Sequence, residues 1–261
     1  MPENLFDLTG KVALITGGNA GLGLSFAEGL ARAGADIVIW GRRAEQNETA
    51  AQQLKRHDGR VLAQSVDVSD EAAVAKAMET AAREMGRLDC VIANAGIATT
   101  APIDQMTTDI WRELIDISLD GAFFTAREAA RHMKARSESG DRGGSIIFCG
   151  SLTIFTGVPG LSHYAAAKGA LNSMSKVLAV ELGAFDIRVN TIAPGLIATD
   201  LMIGNPEGEA LLEATRARSP IKTLGRPEDL QGIVVYLASD MSRYHSGDTI
   251  TLDGGMMAQC Y

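Results

Sequence analysis

Short apolar runs alternate with longer stretches whose apolar positions recur at helical spacing, and the alternation runs the length of the chain. Residues 11–16, 35–40, 60–65, 88–93, 144–150, 187–193 and 248–252 are the short runs, each closed by Gly, Asn, Asp or Pro-Gly. Runs of this length between turn residues read as strands buried on both faces. Helices are expected after the Gly-rich turn to about residue 33, over 44–56, from Ser69 (an N-cap followed by early acids), over 108–135, from the Ser151–Lys168 stretch to about 184, and after Arg226-Pro227. Residues 196–223 read as irregular with one short helix. Strands alternating with helices imply a parallel sheet covered on both sides. No linker, repeat or low-complexity segment divides residues 1–261, so one α/β domain is expected.

Composition narrows the classes of function. Hydrophobic residues make up 46% and charged residues 21%, a globular balance, and the formal net charge of −8 argues against a nucleic-acid groove. No apolar run approaches the ~18 residues of a membrane span. The N-terminus lacks a basic region followed by an apolar run, so no secretory signal is expected. The cysteines, Cys90, Cys149 and Cys260, show no metal-ligand spacing, and no His/Cys/carboxylate cluster suggests a metal site. An odd, sparse set fits a reducing cytoplasm.

The chemistry concentrates in Ser151-x12-Tyr164-x3-Lys168. At i,i+4 on a helix, Tyr164 and Lys168 share a face. At ~5 Å and an effective dielectric of ~20, the ammonium favours the phenolate by about 3 kcal/mol. That suits a general acid–base. Ser151, just after the strand at 144–150, has a hydroxyl able to hold a substrate oxygen. The competing reading is a packing pair with a solvated ammonium.

Five further segments fall at strand ends, where open α/β sheets bind ligands. Gly17-x3-Gly21-x-Gly23, with Asn19 and Leu22 inside it, suits a pyrophosphate seated on a helix N-terminus, or else a purely structural turn. Gly41-Arg42-Arg43 ends the second strand without an acid for a ribose 2′-hydroxyl. That favours NADP over NAD, which stays possible. Trp40 flanks an adenine or packs. Asp67-Val68 meets an adenine or caps a helix. Asn94-Ala95-Gly96 offers backbone to a ribose or is a turn. Pro194-Gly195, with Ile197 and Thr199, holds a nicotinamide carboxamide or is a Pro-Gly turn. His163 lines the pocket or is incidental, since adjacent helical residues do not share a face.

Thr16-Gly17-x3-Gly21-x-Gly23, Asn94-Ala95-Gly96, Ser151, Tyr164-x3-Lys168 and Pro194-Gly195-x3-Thr199 together resemble the classical short-chain dehydrogenase/reductase family, over about residues 8–255. The flavour is that of 3-oxoacyl-carrier-protein reductases and sugar or polyol dehydrogenases. The resemblance implies a doubly wound, seven-stranded Rossmann sheet, usually in a homotetramer built on the long helices. It implies an NAD(P)-dependent oxidoreductase that interconverts a secondary alcohol and a ketone. Tyr164 would be the acid–base, Lys168 would bind ribose hydroxyls and favour the phenolate, and Ser151 would orient the substrate oxygen. Ser118 departs from the pattern: the family usually has Asn there, holding a water that relays protons from the Lys. Ser118 either serves through another water or weakens the relay. A non-catalytic dinucleotide-binding redox sensor and a structural subunit stay open, and residues 196–223 are expected to form a lid.

Overall fold

Successive residues of each strand feed two cores. Val12 and Leu14 of β1 (Val12–Thr16) pack with Val38 and Trp40 of β2 (Asp36–Gly41), Val91 and Ala93 of β4 (Cys90–Ala93), and Ile146 and Phe148 of β5 (Gly144–Cys149). The intervening Ala13 and Ile15, Ile37 and Ile39, Cys90 and Ile92, and Ile147 and Cys149 face the opposite core. Side chains alternate across a strand with a period of two, so a strand buried on both faces reads as an unbroken apolar run. β3 (Val61–Ser65), β6 (Ile187–Pro194) and β7 (Thr249–Leu252) complete a sheet of order β3-β2-β1-β4-β5-β6-β7, every pair parallel.

The computed structural model describes residues 5–199, 203–204 and 206–259, with Glu207 described by its backbone only. Met202 of the expected lid and Cys260 lie outside the described residues. One face of the sheet is covered by α3 (Glu71–Met85), α5 (Gly121–Glu138) and α6 (Ser162–Leu182) through Val74 and Met78, Ala126 and Met133, and Leu171. The other is covered by α1 (Gly21–Arg32), α2 (Ala44–Leu54) and α8 (Gln231–Ala238) through Phe26 and Leu30, Ala50 and Leu54, and Val234 and Leu237. This is a single-domain Rossmann fold. The strand order reverses between β1 and β4, which opens a crevice at their carboxyl ends.

The structure differs from the sequence reading in four local ways. The helix expected over 108–135 is α4 (Thr108–Ile115) and α5 joined by a π-turn, Asp116–Asp120. The turn widens where Gly121 lies on β3's exit: a Cβ on Gly121 would stand 2.7 Å from Val68 Cγ2. α3 is capped by Asp70, whose carboxylate accepts from the Ala73 amide at 3.0 Å, not by Ser69. The segment after β6 contains a 13-residue helix, α7 (Pro206–Arg218). Trp40 is fully buried with its indole N–H on Gln64 Oε1 at 2.8 Å, so it packs and cannot flank an adenine.

Candidate active site

Lys168 is the centre of the site. Its side chain is only 4% exposed, and its ammonium donates to the carbonyl of Cys149, the last residue of β5, at 2.7 Å. An ammonium has three donors. Among the described residues Lys168 has no acid partner and no second acceptor, so a buried charge is left with spare hydrogen-bonding capacity. Its nitrogen lies 5.6 Å from the centre of the Tyr164 ring, one turn earlier on α6. That ring packs on Leu114, Ile115 and Ala167. Ser151 follows β5 and takes an extended conformation. Its oxygen accepts from the Thr153 amide at 3.2 Å, which leaves the hydroxyl proton free.

Ser118 joins this group. It is fully buried in the π-turn, and its oxygen accepts from the Ile97 amide at 3.2 Å. A Cβ on Gly96 would lie 3.2 Å from Ser118 Oγ and 3.6 Å from Lys168 Nζ. Gly96 thus leaves a gap flanked by the hydroxyl and the ammonium. A π-turn inside a helix commonly re-aims a side chain at a functional site.

The crevice beside this group suits a dinucleotide. Gly17 and Gly21 have φ of +63° and +51°, a region few residues but glycine occupy. A Cβ on Gly23 would stand 2.1 Å from the Gly17 carbonyl oxygen, so only glycine lets the turn close onto the helix. α1 has no side-chain cap, which leaves the first amides of the helix near Leu22 for an anion. Asn94 holds the turn's base: its amide donates to the Thr16 carbonyl at 2.9 Å, and the Asn94 and Ala95 backbone amides both donate to Thr16 Oγ1. Thr199 lies on the far side, its methyl 3.9 Å from where a Cβ on Gly21 would be. Gly195 meets Asp253, and Ile197 pairs with Gly225. Pro194 ends β6 beside them.

The adenosine end is equally defined. The Asn19 amide donates to Asn47 Oδ1 at 2.7 Å, and Asn47 in turn donates to the carbonyls of Gly41 and Gln64. A Cβ on Gly41 would stand 2.2 Å from Asn19 Nδ2, so a side chain there would have to displace the Asn19–Asn47 pair. Asp67 accepts from the Ser69 hydroxyl and amide at 2.7 and 3.0 Å, forming a turn. Burial raises the Asp67 carboxyl, but these hydrogen bonds and the nearby Arg42 guanidinium outweigh it and hold the group below its ordinary value. Val68 is buried next to it.

A family model described as enoyl-(acyl carrier protein) reductase matches residues 17–257. The chain is 40% identical to the NADP-dependent (R)-specific alcohol dehydrogenase of Lentilactobacillus kefiri, over 97% of this chain and 98% of that protein. It is 37% identical to the sorbose reductase sou1 of Schizosaccharomyces pombe, over 97% and 98%. The chain belongs to the short-chain dehydrogenase/reductase family. Among solved structures it resembles a gluconate 5-dehydrogenase from Burkholderia cenocepacia in complex with NADP and tartrate, with a TM-score of 0.90 at 33% identity over 98% of each chain. Membership carries NAD(P)-dependent oxidoreductase activity on CH–OH and C=O groups.

Two features of this short-chain dehydrogenase escape the sequence. His163 is fully buried, its Nε2 is 2.8 Å from Thr99 Oγ1, and its Nδ1 has no partner. Burial pushes the imidazole below its ordinary value, which favours the neutral form. The pair ties the loop after β4 to the start of α6, and the Ala101 amide adds a bond to the Gly160 carbonyl at 3.0 Å. Thr99 and His163 are 64 residues apart, a contact that no local spacing reveals. The second feature is Thr153, whose buried hydroxyl lacks a protein partner beside Ser151. Of the described thiols, burial pushes Cys90 up to about 12 and raises Cys149 as well, which disfavours the reactive thiolate. Among the described residues no group of three or more His, Cys, Asp or Glu could hold a metal, and no helix is long and apolar enough to cross a membrane.

Proposed function

We propose that this chain is an NADP-dependent, cytoplasmic carbonyl reductase that interconverts a ketone and a secondary alcohol with Ser151, Tyr164 and Lys168. The observation that carries the reading is the buried Lys168 ammonium, held by one carbonyl beside Tyr164 and with donors to spare. Burying a charge without an acid partner costs stability, and the arrangement is explained if the ammonium serves the reaction. When bound, the dinucleotide supplies the hydride for reduction and accepts it for oxidation. Its pyrophosphate would rest on the turn Gly17–Gly23, its adenosine near Asp67 and Val68, and its nicotinamide end near Asn94, Gly96, Gly195 and Thr199.

Tyr164 donates its phenolic proton to the carbonyl oxygen during reduction and takes it back in oxidation. Lys168 offers its remaining donors to ribose hydroxyls. Ser151, with its proton free, orients the carbonyl oxygen. Ser118, in the place where relatives usually carry Asn, presents its hydroxyl across the Gly96 gap from Lys168 and supports a water there. Gly41, which offers no acid, and the exposed Arg42 support NADP over NAD. The segment 196–223 acts as a lid over the crevice. Exposed Phe123 on α5 and Val177 and Val180 on α6 support a homotetramer built on those helices.

A fluorescence titration with NADPH and NADH tests the reading, followed by addition of a ketone. NADPH should bind at least 10-fold more tightly, Arg42→Ala should erase most of that preference, and ketone addition should oxidise the bound NADPH. Preferential NADH binding contradicts the role given to Arg42. Binding with no turnover of any ketone moves the chain to the non-catalytic reading.

A further inference from the structure

The two halves of the carboxyl edge differ in what they expose. Seven large hydrophobic side chains are exposed on the segments that leave β4, β5, β6 and β7: Ile103, Phe155, Val158, Ile203, Leu211, Ile221 and Met257. The short segments that leave β1, β2 and β3 expose none; they carry the glycine turn, Arg42, Arg43 and Asp67. Exposed apolar groups gathered round one crevice and not elsewhere on its rim mark a ligand surface. Phe155 and Val158 lie in the same segment as Ser151 and Tyr164, so this apolar rim is continuous with the reacting group.

Charge agrees with this division. No Lys or Arg occurs in residues 94–111, 150–163, 195–215 or 253–261, which form these four segments. Of the cations that follow on the lid, Arg216 pairs with Glu213 at 2.8 Å, Lys222 donates to the Ala217 carbonyl at 2.9 Å, and Arg218 stands exposed at the end of α7. Behind the lid a cavity of about 280 Å³ is walled by Leu196, Ile197, Ile221, Leu224 and Leu252. Its two carboxylates are already engaged, Asp253 by the Gly255 and Met257 amides and Asp229 by the Arg226 amide. A carboxylate or phosphate on the substrate would be desolvated against a cavity wall that holds no Lys or Arg, which proteins avoid. His163, the one imidazole in these segments, is buried.

Resting on the carbonyl-reductase reading, we propose that the substrates are uncharged ketones bearing a bulky apolar group, aryl or branched alkyl. Keto acids and ketose phosphates are excluded. The apolar group lies against Phe155 and Val158 and reaches towards the cavity behind the lid. The carbonyl oxygen faces Tyr164 and Ser151. Reduction consumes one reduced dinucleotide and one proton and releases the secondary alcohol.

The test uses the full chain with NADPH and compares kcat/KM for an aryl methyl ketone with that for 5-ketogluconate. A ratio of 100 or more in favour of the aryl ketone is expected. Equal values, or a preference for the keto acid, overturn the proposal and leave the reductase reading standing. Turnover of neither by protein that binds NADPH overturns both. The Phe155→Ala, Val158→Ala double variant should raise KM for the aryl ketone about 10-fold while leaving kcat and NADPH affinity near wild type, in line with hydrophobic pockets of this kind. An unchanged KM in that variant contradicts the placement of the apolar group. Both side chains are about half exposed, so the fold tolerates their truncation.

Discussion

The two edges of the sheet handle charge in opposite ways. At the amino edge the buried charge of Asp89 is answered from several sides. Asp89 accepts from the Val12 amide at 2.9 Å and from Arg87 at 2.6 and 2.7 Å, and Arg136 stands 3.4 Å away. Arg136 and Arg87 both reach Asp141, and Arg142 pairs with Asp186 at 2.6 Å. At the carboxyl edge the Lys168 ammonium is as deeply buried, yet meets one carbonyl and no acid. The buried Nδ1 of His163 and hydroxyl of Thr153 are likewise unanswered there. At the amino edge Arg136 Nε is unanswered too, but the charge of that guanidinium meets Asp89 and Asp141. At Lys168 no acid meets the charge among the described residues, and its spare donors are available to a ligand.

The contrast breaks most sharply at Lys168. Lys168→Met should lower kcat/KM by about 10³-fold, while the thermal midpoint holds or rises, because replacing a buried charge by an apolar group of similar length is often neutral or stabilising. Ketone reduction and thermal unfolding, measured on one preparation, check both halves. Asp89→Ala should do the reverse. It leaves two guanidiniums and a strand amide without their acceptor, so stability should fall by about 3 kcal/mol with kcat little changed. A large loss of activity in folded Asp89→Ala would show that the edges are not independent.

A smaller effect separates the edges by pH. Burial holds His163 below its ordinary value, so the unfolded chain takes up the proton first, and stability declines as pH falls from about 6.5. Asp141 is also held low, first by its hydrogen bond from Arg136 and then by the charges of Arg136, Arg87 and Lys11. Its contribution is full above the ordinary carboxylate value of about 4 and is lost as pH falls through the depressed one. Thermal midpoints measured from pH 7 to 3 should therefore show an upper slope that disappears in His163→Asn and a lower one that weakens in Asp141→Asn.

These edges were unequally legible in the amino-acid sequence. The strands were plain because burial on both faces turns each into an apolar run, as with Val12–Thr16 and Ile187–Pro194. The glycine turn was plain because the steric demand at Gly17, Gly21 and Gly23 is local. The π-turn at Asp116–Asp120 was not, because it follows from Gly121 meeting Val68, a contact made only in the folded sheet. Helix Pro206–Arg218 was read as shorter because its exposed surface mixes Leu211 with charged residues and carries little periodicity. Trp40 looked available at the strand's end because sequence does not show the Gln64 acceptor that holds it inside. Asn19 and Asn47 form their lock from separate elements, which hides the fact that a side chain at Gly41 would disturb it.

The most direct measurement is single-turnover oxidation of bound NADPH by Tyr164→Phe on addition of a ketone, with NADPH affinity determined on the same sample. If the Tyr164 hydroxyl donates the proton, the rate should fall by about 10³-fold or more while the dissociation constant stays within a few-fold of wild type. A variant that retains most of the wild-type rate would contradict the assignment of acid–base chemistry to this edge of the sheet.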